Sequence, residues 1–437
     1  MDRVRSAPAG AAASDATAGG PAGAALVTVV GIGEDGWDGL GRSAREALER
    51  ASVIVGSERQ LGLLPELTGV RRERLPSPLL ERLDELIGEH PGMCLLASGD
   101  PMLHGIGATL ARRLGAGRLI VLPAASSVAL ACARLGWPEQ ETEVVSLVSQ
   151  PPETALAAMR PGARVVLLCR DGSTPGAVAR LLAERGWADS ELTVLERLGG
   201  PAERVTGPVT PADLLTPSGP VGGPDAPEPF ADLCVLAVRP HAGAGGLGPA
   251  AGRLPGLPDA AFETDGQITR RELRVLAVAA LRPGPGELLW DVGAGSGSIG
   301  IEWLRAEPLA QAVAIEARAD RAGRAGRNAA ALGVPGLRVV VGQAPAALAD
   351  LPAPDAVFVG GGLTTEGLLE ACWQRLPAGG RLVAHAVTVE SEAILLRWHR
   401  AEGGQLIRSA LSYLEPLGGF STWRPALPVV QWQVTRP

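Results

Sequence analysis

The stretch LLWDVGAGSGSIGIEW, from Leu288 to Trp303, sets an acid and alternating glycines between an apolar strand and an apolar helix start. Glycine there removes every Cβ from the turn, so the backbone is free to be approached closely by a guest. Gly295-Ser-Gly297-Ser-Ile-Gly300 also satisfies the G-x-G-x-x-G spacing of dinucleotide sites. A dinucleotide, a phosphate and S-adenosylmethionine are all candidate guests. Three later segments bear on the choice. AVAIE ends at Glu316, nineteen residues after Gly297, where a carboxylate can accept both hydroxyls of a ribose. Gly342-Gln343-Ala344 offers backbone and amide groups to an adenine edge, and Gly360-Gly361-Gly362 again allows close approach. A nicotinamide site shares the first two features. The adenine-edge position after the third strand is more typical of S-adenosylmethionine, so the residues favour a methyl donor and leave the nicotinamide open. Near the other end of the chain, Gly31-Ile-Gly33 inside VTVVGIGEDGWDGL is a second glycine-rich strand end, weak on its own.

Composition removes several function classes. The formal charge is −7 and no basic block stands out, which argues against a nucleic-acid partner. All forty basic residues are arginine, so any carboxylate-rich ligand must be held by guanidinium groups, which can bind it in bidentate fashion. Cys94, Cys132, Cys169, Cys234 and Cys372 are scattered, with no C-x-x-C pair and no histidine at ligand spacing. They predict a reducing, cytoplasmic compartment without disulfides and without a metal site. No run of 18 apolar residues exists, so no membrane span is expected.

These strand ends need elements to hold them. Residues 1–24, rich in Ala, Gly, Ser and Pro, predict a disordered tail rather than a signal peptide. From Ala25, short apolar runs such as ALVTVVGIG, SVIVGS, MCLLASGD and RLIVLPAAS alternate with amphipathic segments such as SAREALERA and IGATLARRLG. That alternation predicts βαβ units and a mostly parallel sheet. A second set, EVVSLVS, ARVVLLCR, ELTVLERLG and FADLCVLAVRP, predicts a second α/β half beginning near residue 140. Residues 241–254, glycine- and proline-rich, read as a linker. A third α/β series follows over residues 255–437, and its last runs, GQLIRSALSYLEP and PVVQWQVTRP, have no helix between them. An antiparallel hairpin added to a parallel sheet shifts the third series toward a class I methyltransferase fold.

Residues 255–437, carrying PGLPDAAFETDGQITRRELRVL, LLWDVGAGSGSIGIEW, GQAPAAL and LPAGGRLVAHAV, closely resemble the decarboxylating precorrin methyltransferases of corrin biosynthesis. The resemblance implies a class I Rossmann-like domain that binds S-adenosylmethionine through Thr269, Gly293, Ala294, Gly295, Ser296, Gly297, Glu316 and Ala344. That family usually has Thr-Lys where this chain has Thr269-Arg270. The positive charge is kept, and an arginine stays protonated.

Residues 25–240 resemble the tetrapyrrole methylase family, in the variant that acts on precorrin carbon 5, through GIGEDGWDGL, LASGDPMLHGIG and LPAASSVALACARLGWP. The resemblance implies a class III fold of two α/β subdomains with the methyl donor in a cleft. By position it implicates Gly33, Glu34, Ser98, Gly99, Asp100, Leu103, Ser126, Ser127 and Cys169. Ser126 and Ser127 are equally readable as helix N-caps. The chain departs from the family at Ser146–Gln150, where a His-Gly-Arg stretch is usual, at Pro123-Ala124, and at His104, which stands where an aromatic is usual.

Together the two resemblances imply two S-adenosylmethionine sites on one chain. They also imply methylation of a precorrin at carbons 5 and 15, with decarboxylation of the ring C acetate and a small tetrapyrrole as substrate. Homo-oligomeric assembly is expected. Arg270, Arg271 and Arg274 are candidates for holding substrate carboxylates. His385 is a candidate proton carrier or a satisfied core histidine. A nicotinamide-dependent precorrin reductase is the alternative.

Overall fold

The computed structural model describes residues 26–76, 79–216, 230–243 and 252–437. The expected tail, residues 1–24, and most of the expected linker, residues 244–251, lie outside the described residues. By contact the chain forms two compact units. One runs to Leu130 and includes Leu198–Ala202; the other holds Ala131–Arg197 and Glu203–Pro437. No helix among the described residues is long and apolar enough to cross a membrane.

The first unit contains β1 (Val27–Ile32), β2 (Val53–Gly56), β3 (Arg71–Arg74), β4 (Cys94–Ser98) and β5 (Leu119–Leu122), ordered β3-β2-β4-β1-β5 and parallel throughout. β1, β2 and β4 are nearly continuous apolar runs because helices cover both faces of such a sheet. Val29, Ile54 and Leu95 are wholly buried. The order sets the carboxyl ends of β4, β1 and β5 side by side.

The second unit begins with β6 (Thr142–Ser146), β7 (Arg164–Leu168), β8 (Glu191–Glu196), β9 (Arg204–Val209) and β10 (Cys234–Arg239), ordered β6-β7-β10-β8-β9. Here the expectation of a mostly parallel sheet is corrected. Only β6 and β7 run parallel, and the other three pairings are antiparallel. β9, whose RVTGPV sequence is broken by Gly-Pro, follows β8 with no helix between them, so the chain must reverse.

The last sheet is built from β11 (Leu288–Val292), β12 (Gln311–Glu316), β13 (Arg338–Val341), β14 (Ala356–Val359), β15 (Arg381–Ala386) and β16 (Gln405–Ser409). A separate hairpin of β17 (Ser412–Leu417) and β18 (Phe420–Pro425) comes next, and β19 (Val429–Thr435) closes the sheet. The order is β13-β12-β11-β14-β15-β19-β16, parallel through β15, then antiparallel. The antiparallel end is therefore present, with its two strands separated in sequence by the inserted hairpin. The order reverses at β11, and the carboxyl ends beside that reversal are where an open α/β sheet binds its ligand.

A buried charge cluster fastens the entry segment of this domain. Glu302, 1% exposed, accepts the amides of Gly256 at 2.6 Å and Leu257 at 3.0 Å and the guanidinium of Arg274 at 2.6 Å. Arg305 donates to the carbonyls of Gly252 and Leu332. The described end of the glycine- and proline-rich stretch is thus held on the helices Arg271–Leu281 and Ser298–Ala306.

Candidate functional site

A cavity of about 750 Å³ opens at the carboxyl ends of β11, β12, β13 and β14. Gly293 follows β11 with φ +71°, and a Cβ there would stand 2.8 Å from the amide nitrogen of Gly361, so only glycine lets the first and fourth strand ends meet. Gly293, Ala294, Gly295 and Ser296 line the cavity, as do Thr269, Glu316 and Ala344. Gly297 does not. It caps the helix Ser298–Ala306, and a Cβ on it would stand 3.0 Å from that of Ala325, so helix packing by itself calls for glycine there.

Glu316 is nearly buried, and each of its oxygens takes one backbone amide: Oε2 from Gly295 at 2.8 Å and Oε1 from Arg318 at 3.0 Å. These bonds aim the carboxylate at the glycine loop and leave lone pairs for two further donors. Asp291, at the head of the loop, is more buried still. Its Oδ2 accepts from Gly300 at 3.0 Å, while Oδ1 has no partner among the described residues. Burial lifts its carboxyl to about 7, opposed by the Gly300 bond and reinforced by the charge of Glu316. An unpaired buried acceptor on a cavity wall is costly unless a guest satisfies it.

The segment Phe262–Thr269 closes one side. Asp265 pairs with Arg321 at 2.8 Å and Glu263 with Arg327 at 2.6 Å, both arginines on the helix Ala319–Ala331. Asn328 on the same helix, almost fully buried, accepts the Glu263 amide at 2.8 Å. It also donates to the carbonyls of Glu263 and Ser296, each at 2.9 Å. One side chain thereby joins the covering segment to the glycine loop.

The three candidate arginines part company. Arg274 is 0% exposed and its guanidinium is taken by Glu302, by Asp259 at 3.0 Å and by the carbonyls of Thr269 and Leu257. It is a structural ion pair, which corrects its candidacy as a substrate ligand. Arg271 is exposed and is not part of the cavity wall. Arg270 lines the cavity and makes one ion pair, to Asp259 at 3.4 Å. His385 also lines it, with Nε2 2.9 Å from Gln431 Oε1 and its ring edge-on to Phe358. Burial pushes the imidazole below its ordinary value, partly offset by the Gln431 bond, so it is neutral at pH 7.

In the first unit the ends of β1, β4 and β5 are knitted by backbone bonds, Gly99 N to Ile32 O at 3.0 Å and Ala124 N to Gly99 O at 3.3 Å. Gly31 sits between these chains, where a Cβ would meet the Gly99 carbonyl and lie 2.6 Å from Ala124 N. Gly33 starts the adjoining turn, its carbonyl accepting from Gly36. Glu34 pairs with Arg59, and Arg59 and Gln60 donate to Ser98 Oγ at 2.8 and 3.1 Å. Asp100 accepts the Met102 amide at 2.8 Å through Oδ1 and the Leu103 amide through its carbonyl. Ser126 caps the helix Ser127–Leu135, accepting from Ala129 at 3.0 Å, and Ser127 is that helix's first residue. Cys169 belongs to the other unit. Its thiol is buried in the apolar core and pushed well up, chiefly by its hydrogen bond with Cys234 and by burial, so its side chain is no ready ligand.

Asp291, Asn328, Arg321 and Arg59 were not assigned by sequence. Asp291 carried a signal, its place at the head of the glycine loop. The others carried none, since their partners lie between 25 and 65 residues away. Among the described residues no group of His, Cys, Asp or Glu is arranged to hold a metal ion.

Residues 26–213 match the family model described as Tetrapyrrole (Corrin/Porphyrin) Methylases, and residues 260–436 the one described as Precorrin methyltransferase domain. A Sinorhizobium sp. protein named precorrin-6Y C(5,15)-methyltransferase (decarboxylating) is 46% identical over 411 residues, covering 94% of this chain and 96% of its own length. A protein of the same name from Mycobacterium tuberculosis (strain CDC 1551 / Oshkosh) is 48% identical over 413 residues, 94% of this chain and 100% of its own. The crystal structure of the C-terminal domain of precorrin-6Y C5,15-methyltransferase from Rhodobacter capsulatus is 48% identical, covering 42% of this chain and 99% of that chain, with a TM-score of 0.40. The full-length relatives are named as methyltransferases, and the nicotinamide-dependent reductase alternative finds no support in them.

Proposed function

Because the chain belongs to the family of precorrin-6Y C(5,15)-methyltransferases (decarboxylating), we propose that it methylates a precorrin at carbons 5 and 15 and releases the ring C acetate carboxyl as carbon dioxide, using two S-adenosylmethionine sites. The observation that carries the second site is the cavity around Gly293–Ser296. Its glycine loop allows close approach, Glu316 keeps lone pairs toward it, and Asp291 Oδ1 awaits a donor. These groups fit a cationic ligand bearing a ribose. Residues 255–437 would act at carbon 15 and in decarboxylation, and residues 25–240 at carbon 5, around the joined ends of β1, β4 and β5.

The bound donor supplies an electrophilic methyl group on a sulfonium. The chain's own contribution is positioning, because an in-line approach of the substrate carbon needs alignment more than a side-chain nucleophile. Glu316 and Asp291 orient the donor, and Asn328 holds the covering segment that keeps water from it. Loss of carbon dioxide needs an electron sink, which the conjugated macrocycle supplies once protonated. The acidic net charge supports a small-molecule substrate over a nucleic acid. Five free, buried cysteines support a reducing compartment such as the cytoplasm. Exposed Leu414, Phe420 and Trp423 on the hairpin support association between copies of the chain.

Calorimetric titration of the full chain with S-adenosylmethionine should return two donors per chain, and Glu316→Ala should reduce that to one. A single donor in the wild type would refute the two-site reading. Heat on adding NADPH would revive the reductase.

A further inference from the structure

Two segments far apart in sequence meet at the rim of the second-domain cavity. Tyr413, the chain's sole tyrosine, stands on β17 and donates its hydroxyl to Glu272 Oε2 at 2.9 Å. Glu272 is in the first turn of the helix Arg271–Leu281, and Arg270 is that helix's N-cap. The Arg270 guanidinium carbon lies 5.8 Å from the centre of the Tyr413 ring, within reach of a cation–π contact. Ala426 donates to the Leu411 carbonyl at 2.9 Å, closing the root of the hairpin, and both residues line the cavity beside Arg270. The rim therefore offers an apolar wall next to a guanidinium whose side chain is 54% exposed and whose one ion pair among the described residues is long.

The hairpin has only two strands, and such a unit is marginal without packing on a larger body. The Tyr413–Glu272 bond is one of its ties to the helix start, and the same ring restricts the rotamers of Arg270. An apolar wall beside a pre-placed guanidinium suits a flat apolar body with carboxylates on its edge. A guanidinium fork matches a carboxylate in bidentate fashion.

Building on the function proposed above, we propose that the hairpin root and Arg270 form the subsite for the carboxylate-bearing edge of the tetrapyrrole, and that Tyr413 is the positioning residue that holds Arg270 there. Arg270 and the hairpin root share the cavity with Glu316 and Asp291 but take no part in the hydrogen bonds that fix those two carboxyls, so the two groups can be perturbed one at a time.

The test uses the full chain, with KM and kcat for carbon dioxide release from the precorrin measured beside the donor Kd from calorimetry. Arg270→Ala should raise the precorrin KM about tenfold, the loss of one charge-assisted bond, and leave the donor Kd within about twofold. Tyr413→Ala should raise KM in the same direction, and Tyr413→Phe, which keeps the ring under the guanidinium, should fall between it and the wild type. Ultraviolet titration of the single tyrosine gives an independent readout. Burial and the Glu272 bond hold its phenol above the ordinary value, and Glu272→Gln should lower it. An unchanged precorrin KM in Arg270→Ala or Tyr413→Ala, or a donor Kd that moves by the same factor as KM, overturns the inference. A wild-type chain that binds no donor would instead refute the function itself, and this subsite with it.

Discussion

Replacing Asp291 by asparagine exchanges donor binding against stability, and the exchange can be sized. The carboxyl is 1% exposed and titrates near 7 in the folded chain against 3.8 when unperturbed. A difference of about three pH units corresponds to about 4 kcal/mol. The folded value lies above the unfolded one, so the group's contribution to stability is whole below about pH 4 and is lost as the pH rises to about 7. Asp291→Asn keeps an acceptor for the Gly300 amide and never ionises. The variant should therefore gain on the wild type by about 3 kcal/mol between pH 5 and pH 8, with the larger advantage at pH 8. Hydrogen exchange of the Leu288–Val292 amides, corrected for intrinsic rates, measures that difference locally. The same variant should bind S-adenosylmethionine less tightly, because the unpaired Oδ1 at the cavity wall is replaced by an amide or turned away. A difference in stability independent of pH, or a variant less stable than the wild type at pH 8, would refute the assignment to this position of a carboxyl whose ionisation burial opposes.

Other perturbations separate the two chemistries and the supports beneath them. Glu316→Ala removes an acceptor from the second-domain site and should cost roughly 1.5–3 kcal/mol of donor affinity per lost bond, suppressing carbon-15 methylation together with carbon dioxide release in product mass spectra. Asp100→Ala, which also loses the Met102 turn bond, should leave decarboxylation running and let a singly methylated, decarboxylated macrocycle accumulate. Arg274→Ala strands Glu302 in the interior and should cost about 3–5 kcal/mol, read as a fall in the thermal midpoint. Adding Glu302→Gln should recover part of that loss. Asn328→Ala should weaken donor binding in calorimetry more than it raises the precorrin KM, since it frees the covering segment from the Ser296 carbonyl.

Local patterns made much of the second domain readable. The run LLWDV is buried on both faces and apolar except at Asp291, as a central strand covered on both sides must be, and the glycines after it mark the turn where φ is positive. Glu316 was legible because a strand end next to a glycine loop has few other reasons to carry a buried acid. The second sheet was less legible. Helices separate its other strands as they would parallel ones, and RVTGPV, interrupted by Gly-Pro, gave no strand signal, so the helix-free return of β9 beside β8 went unread. Arg274 was misread because helix spacing places it beside Arg270 and Arg271, whereas burial against Glu302 depends on a helix 28 residues away. Tyr413 gave no signal at all, since its partner Glu272 is 141 residues distant.

An all-arginine chain must keep structural cations distinct from those left for substrate, and the number of competing acceptors does so. A guanidinium has five donors. Arg274 spends them on two carboxylates and two carbonyls, and Arg381 on Glu287 and the carbonyls of Leu281 and Arg282. Both are nearly buried, where an unpaired guanidinium would be costly, so their neighbours saturate them. Arg270 stands at a rim where water can satisfy its remaining donors, and it can exchange that water for a carboxylate at little cost. Saturation by the fold marks an arginine as structural. An exposed guanidinium on a cavity rim, stacked near an aromatic ring and with a single long ion pair among the described residues, is the arrangement that suits a carboxylate-bearing substrate.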